Sequence, residues 1–486
     1  MTVPQNERNQ VFLGSFIHSS KLDELKYMHK TAVFVDKSGK IVQREEDCDE
    51  QKANDILKDK LGWSHADTEI TNAGEGDFFF PGFIDTHIHA PQYPNAGLFG
   101  KTTLLDWLNT YTFPMESSLA DLAKARRVYS QCVRRTLSHG TTTAAYYATI
   151  DVPATNLLAD LCLSLGQRAL VGRVCMDHAG LCPDYYRDAS PDASLAAAQA
   201  SIDHIRAVDP DFALVSPVLT PRFAPGCTPE TMRRLGALAA ETGLPIQTHI
   251  SENADEIALV GRMFPGQAHY AGVYDAHGLL TERTVLAHAV HLTDAEVDLV
   301  ARRGAGVSHC PCSNSSLGSG ECPVRRLLDA AVAVGLGTDV SGGYSASVLE
   351  AARLALLVSR HLAMPHHEGA RRGGGNEDKD EAERAKLSVE EVLYLATRGG
   401  AAVVGLGQRV GAFEVGMEFD AQLVRLSRVP ETAEVDGAAA GHEDVGPVDI
   451  FGWETWEERL AKWLFSGDDR NTKKVWVRGR LVHSRS

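Results

Sequence analysis

The chain has 486 residues, a hydrophobic fraction of 44% and a formal net charge of −16 at pH 7. These values are typical of a soluble protein with one large domain and a smaller one. The acidic balance argues against a nucleic-acid binder, and no apolar run reaches the roughly 18 residues of a membrane span. Nine scattered cysteines without a CxxC pair indicate reduced thiols, so we expect a cytoplasmic protein.

The first predicted element is a hairpin with strands over 31–36 and 40–43 and a turn at Ser38-Gly39. From Phe83 to Val340, short apolar runs alternate with amphipathic segments such as 230–241 and 294–303. The apolar runs predict eight strands, over 83–89, 141–147, 169–176, 213–220, 245–250, 285–289, 305–309 and 334–337. Eight repeats of strand and helix predict an α/β fold with a TIM-like (β/α)8 barrel. A doubly wound sheet is the alternative, but no glycine-rich nucleotide loop follows the first strand.

Two later segments, 365–386 and 433–447, are rich in glycine and charged residues and are interpreted as insertions. We predict that the first is a mobile surface loop, because it cannot bury enough apolar surface to order itself. Strand character returns over 421–425 and 474–482. Strands at both ends of the chain predict a small β-sandwich domain formed by residues 1–80 and 416–486, around a barrel over 81–415.

Histidines mark the ends of several predicted barrel strands. His87 and His89 are two residues apart on the first strand, so their side chains face the same side. His249, His288 and Asp339 end the fifth, sixth and eighth strands, and parallel barrel strands bring such ends together at one mouth. The His87–His89 pair alone is compatible with core packing. Three imidazoles and a carboxylate, however, suit Zn²⁺, with iron as a second possibility, and zinc would supply hydroxide near neutral pH.

The distribution of lysines bears on the number of metal ions. No lysine occurs between Lys124 and Lys379. Two-metal barrel hydrolases commonly bridge their ions with a carboxylated lysine, and aldolase-type barrels use a Schiff-base lysine. Neither kind of lysine can come from the second to eighth predicted strands, and the absence of a bridging lysine favours one metal ion over two.

Several motifs carry a family resemblance that spans roughly residues 12–482. The run PGFIDTHIH at 81–89 resembles the first-strand signature of the amidohydrolase superfamily. Within it, the chain resembles the guanine deaminases, through HIHAPQ at 87–92, LDWL at 105–108, YTFP at 111–114, TPRF at 220–223, HISEN at 249–253, GTDV at 337–340, GGY at 342–344 and GDDRN at 467–471. The resemblance implies a homodimer that hydrolyses guanine to xanthine and ammonia, with one Zn²⁺ per subunit.

The resemblance also implies roles for individual residues. The implied zinc ligands are His87, His89, His249 and Asp339. Asp339 would also take a proton from the attacking water, Glu252 would shuttle protons to a ring nitrogen, and His288 would hydrogen-bond the water. Glu252 and Asp339 would therefore contact the substrate as well.

Three further residues would read the purine. Gln92 and Arg222 would contact its polar edges and Phe223 would pack near the ring, since guanine offers a carbonyl oxygen and acceptor nitrogens to a carboxamide and a guanidinium. By residue type alone, Arg222 could equally be a structural ion-pair residue. Trp107 could be a lid or a core anchor, and His309 could orient substrate or support a neighbour.

Two other functions stay open at this point. One is deamination or dechlorination of another aminated heterocycle, such as an adenosine derivative, a pterin or a triazine. Arg222 and Phe223 with Gln92 suit a compact base better than a nucleoside. The other is a non-enzymatic scaffold, but relatives of that kind lose ligands, and the candidate ligands are all present here.

Overall fold

The N-terminal part of the chain is built of strands. The computed structural model describes residues 6–101, 103–371, 376–429 and 446–485. The first strands are β1 (Asn9–Lys21), β2 (Glu24–Val35), β3 (Ile41–Glu45), β4 (Thr68–Asn72) and β5 (Phe78–Pro81). β2 and β3 form the predicted antiparallel hairpin. Its turn requires a positive φ, and Gly39 adopts 85° there, which costs glycine little.

The central part contains ten short strands, which cover the eight predicted barrel strands. They are β6 (Phe83–His89), β7 (Thr141–Tyr147), β8 (Arg168–Gly172), β9 (Val174–Cys175), β10 (Val215–Pro217), β11 (Thr220–Pro221), β12 (Ile246–Ile250), β13 (Thr284–His288), β14 (Gly306–His309) and β15 (Val334–Leu336). The third and fourth predicted strands are each divided into two pieces, β8 with β9 and β10 with β11. The strands form parallel sheets of order β10-β8-β7-β6 and β12-β13-β14-β15, with β11 paired to β9.

Backbone hydrogen bonds join the two four-stranded sheets at both edges. On one side the Leu219 amide donates to the Pro245 carbonyl at 2.9 Å, next to the start of β12. On the other, the Asp339 amide donates to the His87 carbonyl at 2.8 Å, which connects the end of β15 to β6. These bonds bring the carboxyl ends of β6, β12 and β15 together.

Helices connect and follow these strands. The α-helices span Glu50–Asp55, Leu104–Trp107, Phe113–Ser117, Leu122–Ser138, Val152–Leu165, Pro191–Val208, Pro229–Thr242, Ala254–Met263, Tyr270–Ala276, Asp294–Arg303, Pro311–Ser316, Val324–Asp329, Val348–Arg371, Asn376–Ala385, Val389–Tyr394, Gly400–Val403 and Trp456–Ser466. Shorter 3₁₀ or π segments span Ile56–Lys60, His65–Asp67, Ala90–Asn95, Leu108–Thr112, Ser118–Ala120, Ala224–Gly226 and Leu395–Gly399. Among the helices described, none combines the length and the apolar character needed to cross a membrane.

The prediction of a mobile loop over 365–386 is wrong for the part that the structure describes. One helix continues to Arg371 and a second covers Asn376–Ala385. The second helix is rich in Glu, Lys, Arg and Ala, which favour helices, and it buries Ala382 completely. The dense charge of this segment suggested a loop, although its residue types favour a helix. Residues 372–375 of this segment, and 433–445 of the second predicted insertion, lie outside the described residues.

Strands from both ends of the chain share one sheet. The last strands are β16 (Ala421–Val424), β17 (Ser427–Arg428), β18 (Asp449–Ile450), β19 (Thr472–Val477) and β20 (Arg480–Ser484). Within the described residues, eight strands form a sheet of order β20-β19-β16-β5-β1-β2-β3, with β4 paired to β1. The strand predicted over 474–482 is a hairpin instead, because the chain reverses at Gly479, where φ is 73°.

Trp463 connects this sheet to the central strands. Its ring is 1% exposed and lies 5.5 Å from Phe78 and 5.2 Å from Phe80, measured between centroids. It also stacks on Phe83 of β6 at 5.8 Å. A single aromatic cluster therefore fixes the start of β6, which carries His87 and His89 further along.

We expect the Trp463→Ala substitution to lower the free energy of unfolding by about 3–5 kcal/mol, because it empties a large buried site that cannot fully collapse. Denaturant unfolding followed by circular dichroism measures this change. Trp453→Ala is the control, since that ring is 78% exposed, and its effect should stay within about 0.5 kcal/mol. Equal effects of the two substitutions would contradict the role given to Trp463.

Candidate active site

Four of the predicted metal ligands converge where the central strands end. The ligand atoms of His87, His89, His249 and Asp339 all lie within 4.8 Å of one another. Asp339 Oδ1 lies 3.1 Å from His87 Nε2 and 3.3 Å from His89 Nε2. The Nε2 atoms of His89 and His249 are 3.2 Å apart. A cluster this tight has the donor set of a metal site, three imidazoles and one carboxylate.

The protonation of these groups fits a cation. Burial lowers the pKa of His87 to about 4, although Asp339 opposes the shift. Burial, followed by the neighbouring His87, holds the pKa of His249 well below its usual value. Both imidazoles are therefore neutral at pH 7, which is the form that binds metals. His87 Nε2 faces Asp339 at 3.1 Å without an aligned hydrogen bond in the described residues, so it is free to donate its lone pair to a cation held between them.

The carboxylate of Asp339 is ionised and its backbone is held in place. Burial alone would raise its pKa, but His87 and the other nearby histidines keep the pKa well below its usual value. The preceding residue, Thr338, donates from its amide and its hydroxyl to Asp85, at 3.0 and 2.5 Å. Asp85 also accepts from the amide of His87 at 3.2 Å. Asp85 is thus a second buried carboxylate, and it fixes the segment that presents Asp339.

A hydrogen bond from the other side of the ring orients His249. Its Nδ1 lies 2.6 Å from the carbonyl oxygen of Arg222. When Nδ1–H donates to that carbonyl, the lone pair of Nε2 faces the cluster. Backbone carbonyls commonly select the tautomer of metal-binding histidines in this way.

Glu252 and His288 lie beside the cluster. His288 Nε2 is 3.4 Å from Glu252 Oε2 and 3.8 Å from Asp339 Oδ2, while its Nδ1 is 2.9 Å from Asn314 Oδ1. Burial raises the pKa of Glu252 to about 7, and the hydroxyl of Ser319 donates to its Oε1 at 3.1 Å. Burial would lower the pKa of His288, but Glu252 and Asp339 raise it overall. Glu252 can therefore gain or lose a proton near neutral pH, with His288 Nε2 3.4 Å away.

A cavity opens onto these groups. Its polar wall includes Gln92, Arg222 and Glu252, and its apolar wall is formed by Leu104, Trp107, Leu108, Phe223 and Leu317. Trp107 is buried and its Nε1 donates to the Leu98 carbonyl at 3.1 Å, as a fixed wall residue would. His309 is buried outside this wall, and burial lowers its pKa to about 3.

The two predicted substrate-reading side chains share a partner that sequence interpretation missed. Glu116, on the helix Phe113–Ser117, accepts hydrogen bonds from both Gln92 and Arg222. The ring of Phe113 lies 5.2 Å from the Arg222 guanidinium carbon. Glu116 is 106 residues from Arg222 in the chain, so no local pattern indicates the pair. The YTFP motif just before Glu116 was the one available signal.

Comparisons with known proteins identify the family of the chain. The Amidohydrolase family matches residues 78–482. The chain is 46% identical over 477 residues to a probable guanine deaminase of Schizosaccharomyces pombe, covering 97% of this chain and 83% of that protein. It is 38% identical over 476 residues to the guanine deaminase of Homo sapiens, covering 97% and 96%. The crystal structure of guanine deaminase from C. acetobutylicum with bound guanine in the active site is similar at a TM-score of 0.82 and 30% identity, covering 98% of this chain and 100% of that one.

We expect one divalent ion per chain in the purified protein and little or none in a His249→Ala variant, because that change removes one of four donors. Elemental analysis after dialysis measures the metal content and separates zinc from iron. Adding the metal back at 100 times its Kd should stabilise the native chain by about 2.7 kcal/mol. His204→Ala, on the outer helix Pro191–Val208, is the control and should keep its metal. Equal metal content in both variants would contradict the site.

Proposed function

The chain belongs to the amidohydrolase family, and within it to the guanine deaminases, and from that premise we propose that it hydrolyses guanine to xanthine and ammonia with one bound Zn²⁺. As a member it is a hydrolase of carbon–nitrogen bonds in cyclic amidines. One observation carries the choice of substrate. The cluster of His87, His89, His249 and Asp339 faces Arg222 and Gln92 across the same small cavity.

We assign the zinc to His87, His89, His249 and Asp339, because their donor set suits it and the imidazoles of His87 and His249 are neutral. When bound, the ion supplies hydroxide at neutral pH by acidifying water. The chain itself contributes the proton transfers that the reaction also requires.

Deamination adds water to the amino-bearing carbon, protonates a ring nitrogen and then breaks the carbon–nitrogen bond as ammonia leaves. We assign the first proton removal to Asp339, which is ionised. Glu252 has a pKa of about 7, so it can give a proton to the ring nitrogen. The proton that Asp339 removed from water then restores Glu252, and the proton of the added hydroxyl goes to the amine, which leaves as ammonia while the new carbonyl forms. His288 lies between these two carboxylates and orients the water.

Arg222 and Gln92 are assigned to the polar edges of the base and Phe223 to its ring. A guanidinium and a carboxamide can together donate to the guanine carbonyl and contact its ring nitrogens. Adenine has an amino group where guanine has that carbonyl. It would leave buried donors without an acceptor, and such a mismatch discriminates strongly.

The finer architecture is proposed on the same basis. Backbone bonds at both edges of the parallel sheets support a closed (β/α)8 barrel over 81–415. The eight-stranded sheet encloses an apolar cluster that includes Phe12, Phe79 and Trp476, which supports a β-sandwich of residues 1–80 and 416–486. All nine cysteines are buried and free, consistent with the cytoplasm. Family resemblance adds a homodimer, which light scattering in solution tests.

The expected activity is measured directly. Metal-replete protein should convert guanine to xanthine, seen as a change in ultraviolet absorbance, and a chelator should abolish the conversion. Adenine, adenosine, a pterin and an aminotriazine serve as competing substrates, and turnover of these should be weaker by at least about two orders of magnitude. Preference for any of the four over guanine would reject the proposed substrate.

The Glu252→Gln substitution should lower kcat by about 10²–10⁴, because it keeps the shape and polarity of the side chain but removes its titrating proton. Metal content should not change, since Glu252 is not assigned as a ligand. Elemental analysis of the same preparation is therefore the internal control. A variant with native kcat would rule out Glu252 as the proton carrier.

A further inference from the structure

The substrate-reading side chains are organised around one buried carboxylate. Glu116 is 0% exposed. The Arg222 guanidinium donates to it through Nη1 at 2.6 Å and through Nη2 at 3.0 Å, a bidentate pair. Gln92 Nε2 donates at 2.8 Å and the Tyr186 hydroxyl at 2.7 Å. Each carboxylate oxygen accepts two hydrogen bonds, so the geometry of Gln92 and Arg222 depends on this group.

Arg222 keeps N–H donors that Glu116 does not use, and both Arg222 and Gln92 line the cavity. A guanidinium has five N–H groups, and the bidentate pair uses two of them. The carboxamide oxygen of Gln92 accepts from the Ser341 amide at 3.3 Å, so both ends of that amide are occupied and its flip is determined. The side chains of Arg222 and Gln92 are therefore fixed before a ligand binds, which reduces the conformational entropy lost on binding.

The pair is also electrically balanced. Burial would raise the pKa of Glu116, but Arg222 keeps that pKa below its usual value, so both partners are ionised. The other groups that face Glu116 are Tyr186 and, further away, His89 and Tyr129. Tyr186 is a neutral phenol, since burial raises its pKa well above the usual value. Arg222 thus lines the cavity while the carboxylate of Glu116 balances its positive charge.

We propose that Glu116 is a positioning residue that aligns Arg222 with Gln92 and, by neutralising Arg222, makes the cavity select a neutral keto-purine over an anionic one. The proposal rests on the proposed function. It has a consequence for turnover, because xanthine loses a proton more readily than guanine. A cavity with a balanced Arg222 has no extra cation to retain the xanthine anion, so product release is favoured.

The test compares wild-type protein with Glu116→Gln, which leaves Arg222 charged and uncompensated. We expect KM for guanine to rise about tenfold to a hundredfold, as for lost hydrogen bonds to a charged group, with metal content unchanged. The decisive quantity is the ratio of xanthine Kd values, by calorimetry, below and above the pH at which xanthine ionises. The variant should favour the anion by about tenfold or more relative to wild type. An unchanged ratio overturns the charge role.

Two further variants separate positioning from general stability. Glu116→Asp keeps the charge on a shorter arm, so it should raise KM and leave the xanthine ratio as in wild type. If Glu116→Gln does not fold, the Glu116→Asp variant decides both points. A KM for guanine equal to that of wild type would overturn the positioning role. A changed ratio of xanthine Kd values would overturn the neutralisation of Arg222. Asp420→Asn breaks a matched buried bidentate pair with Arg168, at the other end of the strands, and should lower only the melting temperature.

The calorimetric measurement of xanthine binding does not depend on turnover of guanine. If wild-type protein leaves guanine intact but Glu116→Gln gains affinity for the xanthine anion, the proposed function fails and the neutralisation by Glu116 stands. If wild-type protein deaminates guanine and the ratio does not move, the function stands and the neutralisation fails.

Discussion

The burial of three imidazoles and one carboxylate against each other is the constraint on which the rest of this structure depends. Side chains that water would otherwise solvate are costly to bury without partners. The cost is limited because the imidazoles of His87 and His249 are neutral, while the carboxylate of Asp339 is ionised. A divalent cation among these donors would leave a net charge of about +1, which favours the ionisation of bound water.

The backbone keeps this arrangement in place. The Asp339 amide donates to the His87 carbonyl at 2.8 Å, and Asp85 accepts from both Thr338 and His87. The first and last central strands are therefore joined at His87 and Asp339, two of the proposed metal ligands. Small errors in position weaken catalysis strongly, so such ties have functional as well as structural value.

Local patterns account for what the sequence could predict. Apolar runs located all eight central strands, and the placement of His87, His89, His249 and Asp339 at strand ends followed from the parallel topology. Interactions between distant segments could not be predicted in this way. Glu116 meets Arg222 across 106 residues and lies on a short helix with no periodic pattern. The same limit explains the error at 365–386, where composition suggested a loop although Ala382 packs into a buried site.

Arg222 connects the two halves of the site. Its carbonyl oxygen holds His249 at 2.6 Å, and its guanidinium is held by Glu116. The residue proposed to contact the substrate thus also orients a proposed metal ligand through its backbone. A substitution of the Arg222 side chain leaves its carbonyl in place, whereas a shift of the whole segment moves both the guanidinium and His249. Glu116 holds the Arg222 side chain, whereas the Arg222 carbonyl holds His249, so one residue serves the proposed recognition of the base and the proposed metal ligand through separate groups.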